Sequence, residues 1–134
     1  MNSQNKPITQ VESFVYYLQN MDIEMISNLL DEKRTYQRVS KTEFIHRLGL
    51  AIDEFRKLGD TYLNKISGRC DSSLCNYKCN GFAFIGNNSN KHLDLVFEQD
   101  EDGNILDMQE CVFFLCVVQK KRTDCLTRVK IDIG

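Results

Sequence analysis

Proline is nearly absent from this 134-residue chain, with Pro7 the only one, and no stretch is dominated by a single residue type. No linker, low-complexity segment or internal repeat therefore divides the chain. Its length is that of one domain spanning residues 1–134, long enough to bury a core without staples. Neither sign of charge prevails, since 17 basic residues face 19 acidic ones for a formal net charge of −2. That balance makes no broad field for nucleic acid or an anionic membrane surface. The basic run Lys120-Lys121-Arg122 has no interleaved aromatics and reads as a solvated turn. No apolar run approaches the ~20 residues of a membrane span, and the opening "MNSQNKPITQ" lacks the apolar core of a secretion signal. The expectation is a cytoplasmic protein that binds neither nucleic acid nor membrane. Thiols there stay reduced, so the six cysteines are expected to be free or metal-bound, not a disulfide framework.

What is present begins with helix signals. Thr9-Gln10-Val11-Glu12 has capping-box spacing, and Val11, Phe14, Val15 and Leu18 follow at helical intervals, which predicts a helix over 9–20. Asp22 can cap a second, short helix carrying Ile23, Ile26, Leu29 and Leu30. Ser40-Lys41-Thr42-Glu43 repeats the capping box, and Phe44, Leu48, Ile52, Phe55 and Leu58 mark one face until Arg56 and Lys57 lead into Gly59 as a stop.

After Gly59 the period changes to alternation, predicting strands over 61–69, 81–86, 92–99 and 105–118. Gly86-Asn87-Asn88-Ser89-Asn90 and Asp100-Glu101-Asp102-Gly103-Asn104 carry the turn residues that join consecutive antiparallel strands. The tail "TRVKIDIG" alternates Val129, Ile131 and Ile133 with charges, as an edge strand would.

The long helix, the short helix in "MDIEMISNLL", a brief strand around Tyr36 to Val39, the long helix "KTEFIHRLGLAIDEFRKLGD" and then a four-stranded meander resemble the nuclear transport factor 2-like superfamily, including its SnoaL-like members. The likeness is one of element order over residues 9–115. It implies an α+β cone, with a curved antiparallel meander sheet wrapped around three N-terminal helices. It also implies an apolar pocket for a small ligand, and a homodimer formed through the sheet. Members range from isomerases and dehydratases to ligand carriers and interaction domains, so the resemblance points to fold more than to function.

Alternation puts Leu106, Met108, Glu110, Val112 and Phe114 on one face, with Leu93, Leu95 and Phe97 on the neighbouring strand. Phe14, Phe55, Leu95, Phe97, Met108, Glu110 and Val112 are the expected pocket lining. Glu110 is the one carboxylate among them and the candidate acid or base, because apolar surroundings disfavour its charged form. A structural reading stands beside it, with Glu110 at the rim, solvated or paired with a cation such as Arg47. On the opposite face, pairing Gln99 with Asn104 would set His92 opposite Cys111 and Asp94 opposite Gln109. A His beside a Cys can make a nucleophile, but without an orienting third group the face reads better as a polar surface or, around His92, Gln109 and Phe113, a dimer contact.

"CDSSLCNYKC" places Cys70, Cys75 and Cys79 within ten residues. Clustered thiolates can hold a structural zinc, which takes four ligands. The spacing lacks the paired two-residue gaps of the strong zinc motifs. Cys111 falls near the other end of the sheet, ~20 Å away at ~3.3 Å per residue, so Asp71, Asp100 or water would have to complete the site. Three plain thiols and a labile disulfide are the alternatives. Cys116 and Cys125 read as small apolar fillers.

Overall fold

Residues 8–69 and 80–110, with Val129 and Ile131, are described by the structure, a computed structural model. Helix α1 (Gln10–Gln19) starts as its sequence predicts. Thr9 Oγ1 accepts the Glu12 N–H at 3.1 Å, and Glu12 Oε1 accepts the Thr9 N–H at 2.9 Å. Two otherwise orphaned donors are thereby satisfied. Helix α2 (Ile23–Leu29) is capped by Asp22, which accepts from the Met25 N–H at 3.2 Å. Helix α3 (Lys41–Lys57) is capped by Ser40, but the reciprocal arm of the box is missing, because the Glu43 carboxylate takes Arg47 Nε at 2.6 Å instead. Gly59 follows the helix at φ 87°, a left-handed conformation in which glycine has no Cβ to strain.

Between α2 and α3 the expected single strand is a hairpin of β1 (Thr35–Tyr36) and β2 (Val39–Ser40), with Tyr36 opposite Val39. Its two-residue turn puts Gln37 at φ 52° and Arg38 at φ 71°. The second half forms β3 (Leu63–Arg69), β4 (Asn80–Gly86), β5 (His92–Gln99) and β6 (Ile105–Glu110), an antiparallel meander in that order. The chain is thus an α+β domain in which helices precede the sheet, as expected. Residues 111–118, predicted to continue the last strand, lie outside the described residues.

Two sequence expectations about β6 are corrected. Glu110 pairs with Leu95, Gln109 with Val96, Met108 with Phe97 and Asp107 with Glu98, but Ile105 pairs with Gln99. The register is two residues away from the one that set Asp94 opposite Gln109. The bulge leaves Leu106 as an extra residue, so it departs from the Met108 face, and Ile105 is buried there in its place. The turn explains the shift: Asp100 N–H bonds to the Asn104 carbonyl and Asp100 Oδ1 accepts the N–H groups of Asp102 and Asn104. This closed loop consumes the residues that a tighter pairing would have used.

The core lies between the helices and one sheet face. Phe14, Leu18, Phe44, Leu48, Ile52 and Phe55 meet Leu63, Phe84, Leu93, Leu95, Phe97 and Met108, all buried. Phe14 and Phe97 touch edge to face with ring centroids 5.5 Å apart. Polar ties fix the layers. Gln10 donates to the Leu29 carbonyl at 2.9 Å and accepts the Ile105 N–H at 2.6 Å, joining α1, α2 and β6. Gln19 donates to the Leu63 carbonyl at 3.0 Å. From the tail, Val129 and Ile131 join this core, and Val129 N–H bonds to the His92 carbonyl at 2.7 Å. That burial follows the predicted alternation; Ile133 lies outside the described residues.

Candidate functional site

Two clefts open at the end of the sheet where β5 turns into β6, one on each side of β5. The first is formed by the start of α1 and the paired ends of β3 and β4. It is walled by Thr9, Val11 and Glu12 on the helix, by Ser67, Gly68, Gly81 and Phe82 on the strands, and by Phe97 and Gln99 on β5, and encloses about 410 Å³. Gly68 and Gly81 are register partners. With no side chain on either, bare backbone forms one wall of the cleft. Phe82 stands over Phe97 with centroids 5.8 Å apart and interplanar angle 70°, so the apolar side is a continuous aromatic surface. Lys65 Nζ lies 6.0 Å from the Phe82 centroid at its margin.

The opposite wall is held by the β5–β6 turn. Val11 N–H bonds to the Gly103 carbonyl at 3.1 Å. A Cβ on Gly103 would meet Thr9 Cβ at 2.5 Å, and Gly103 has φ 80°, so only glycine lets the helix start seat on the turn. Asp100, at the base of this turn, is held below the usual carboxylate range by the backbone and side-chain N–H groups of Asn104, with the Asp102 N–H and Arg34 adding to the effect.

Alternation sends Glu98 the other way from Phe97 and Gln99, into a second, polar cleft of about 510 Å³ walled by Lys33, Arg34, Thr35, Glu98, Leu106 and Asp107. Asp107 Oδ1 accepts the Gln37 N–H at 3.0 Å and the Met108 N–H at 2.8 Å, so one carboxylate pins the β1–β2 turn to β6.

Of the residues expected to line a pocket, only Phe97 reaches the first cleft. Phe14, Phe55, Leu95 and Met108 are fully buried in the core, and Val112 lies outside the described residues. Glu110 is on the helix-facing side opposite Leu95, and its Oε2 accepts the Ile131 N–H at 2.9 Å. His92 and Asp94 are bonded, Nδ1 to Oδ1 at 2.6 Å, and are 1% and 0% exposed, buried by the chain itself. Of the expected dimer patch, His92 is buried and Gln109 is exposed. Cys111 and Phe113 lie outside the described residues, as do Cys70, Cys75 and Cys79. The cysteine loop joins Arg69 to Asn80, which are register partners at the cleft end of the sheet. Among the described residues no group of three His, Cys, Asp or Glu could hold a metal ion, and no helix is long and apolar enough to cross a membrane.

Sequence reasoning missed Ser67, Gly68 and Gly81. The available signal was glycine inside two strand patterns, which marks a bulge or a place where another molecule approaches the backbone.

The fold and clefts define an α+β domain with a recess at the open end of its sheet. No known protein family, curated protein or solved structure matches the chain.

Proposed function

We propose that the chain is a ligand-binding domain that takes a small apolar or amphipathic molecule in the cleft between the start of α1 and the ends of β3 and β4. The carrying observation is the 410 Å³ recess over paired Gly68 and Gly81, backed by Phe82 and Phe97. Its volume falls in the range of about 300–1,000 Å³ typical of small-molecule sites, and its walls have their composition, mostly apolar with a few polar groups. Thr9, Glu12, Ser67 and Gln99 supply those polar groups. The order of three helices before a four-stranded meander supports kinship with the nuclear transport factor 2-like domains, whose apolar pockets serve binding as well as catalysis. Glu110 acts in this reading as an acceptor for the tail and performs no chemistry.

A thermal-shift screen of small apolar and amphipathic compounds tests the proposal, because a ligand selective for the native state raises the apparent stability. Ser67 is exposed and lines the cleft, so Ser67→Trp fills the recess without disturbing the core. Compounds that stabilise the wild type should lose at least about tenfold in affinity, roughly 1.4 kcal/mol, in the variant. Hits that bind both proteins equally, or a screen without hits, would refute it.

A further inference from the structure

The polar cleft on the other side of β5 has a different chemistry. One wall is cationic and locally fixed. Asp31 Oδ1 accepts the Lys33 N–H at 2.9 Å, the Arg34 N–H bonds to the Asp31 carbonyl at 3.2 Å, and Arg34 Nε lies 3.7 Å from Asp31 Oδ2. The Lys33 ammonium has no carboxylate partner among the described residues. The strand side of the cleft is anionic, carrying Glu98 and Asp107 together with the apolar Leu106. The Gln37 and Met108 N–H groups both bond to Asp107 Oδ1, and among the described residues no hydrogen bond falls on Oδ2.

The backbone around this cleft is unusual in two independent ways. Leu106 lines it only because the β6 bulge re-aims that residue out of the core, and bulges recur beside binding sites for that reason. The turn behind it holds Gln37 and Arg38 at positive φ, although neither is glycine, asparagine or aspartate. Such strain persists where surrounding contacts over-determine it, and it collects at functional sites. The contact that holds it here is Asp107, a cleft residue.

A ligand with one net charge would meet one wall of its own sign. A zwitterion meets both walls favourably. We propose that this cleft binds a small zwitterion of the α-amino-acid type, its carboxylate against Lys33 and Arg34, its ammonium against Glu98 and Asp107, and its side chain over Leu106. Charge-assisted hydrogen bonds at both ends would fix its orientation, and the approximately 510 Å³ of the cleft suit a metabolite better than a peptide. This site is independent of the apolar cleft, and its failure would leave that reading intact.

The test is amide NMR titration of the full chain with the common L-α-amino acids, each beside its N-acetylated and its carboxamide form, which lack one charge apiece. Binding should move the amide signals of Thr35, Leu106 and Asp107, and capping either charge should weaken it by about tenfold or more. Lys33→Ala and Glu98→Gln should each weaken it comparably. Both positions are exposed, so these variants keep the fold even where Asp107→Asn releases the hairpin. Raising the salt should weaken binding as well. No shift with any amino acid, equal binding by a capped form, or indifference to both variants would overturn the proposal.

Discussion

At the scale of single residues, Asp60 fixes more of this structure than any pattern around it suggests. Its carboxylate, 3% exposed, accepts the N–H groups of Asn88 and Ser89 at 2.7 Å each and the Ser89 hydroxyl at 2.6 Å. It thereby ties the β4–β5 turn to the segment after α3. Gly86 belongs to the same lock, since a Cβ there would overlap the Asp60 carboxylate. Burial alone would raise the Asp60 carboxyl, but the Ser89 and Asn88 donors outweigh it and hold it below its ordinary value. A depressed folded value means that the unfolded chain takes up the proton first as pH falls. The stabilisation is therefore complete above the ordinary carboxylate range near pH ~4 and is lost as pH drops through the folded value. Asp60→Asn should cost about 1–3 kcal/mol at neutral pH, because an amide cannot accept from three donors at once. Urea melts should show that gap narrowing below pH ~4, and a gap constant with pH would mean that the carboxylate charge plays no part.

Among the elements, helices were legible because caps and apolar periods are local. Thr9, Asp22 and Ser40 are the observed caps, and the buried faces of α1 and α3 carry the expected residues. Strand faces, that of Leu106 excepted, were legible for the same reason, but strand register was not. A slip of two residues leaves every side chain on its original face, so alternation cannot detect it. The bulge at Leu106 depends on how the Asp100–Asn104 turn closes, and the clefts are walled by residues far apart in sequence, tied by contacts such as Val11 with Gly103 and Gln37 with Asp107, which no local pattern encodes. The β1–β2 turn is the element where sequence and structure agree least. Two positive φ values in a two-residue hairpin favour Asn-Gly, yet Gln37 and Arg38 occupy it, and Gln37 Nε2 is buried with no hydrogen-bond partner among the described residues. Replacing both, Gln37→Asn with Arg38→Gly, should relieve the strain while keeping the backbone bond to Asp107. The expected gain is about 1–2 kcal/mol in denaturant midpoint analysis. A loss would show that contacts of these two side chains outweigh their backbone strain.

At the scale of the whole molecule, the last described residues close onto the last two strands of the sheet, β5 and β6. Val129 and Ile131 are 5% and 2% exposed and join the same core as the helices. Two backbone donors hold them, Val129 N–H on the His92 carbonyl and Ile131 N–H on Glu110 Oε2. Glu110 thus satisfies a donor that burial would otherwise leave costly. If the tail docks as one unit, removing the apolar anchor and removing the acceptor act on the same event. Ile131→Ala should cost about 2–4 kcal/mol as a buried large-to-small change, and Glu110→Ala about 1–3 kcal/mol for the donor it orphans. Combined, they should cost less than their sum by at least about 0.5 kcal/mol, because a tail already released has no second contact to lose. Chemical denaturation of the two single variants and the double variant measures this coupling. Strict additivity would mean that Ile131 packs in the core independently of Glu110, and that the carboxylate serves some other partner.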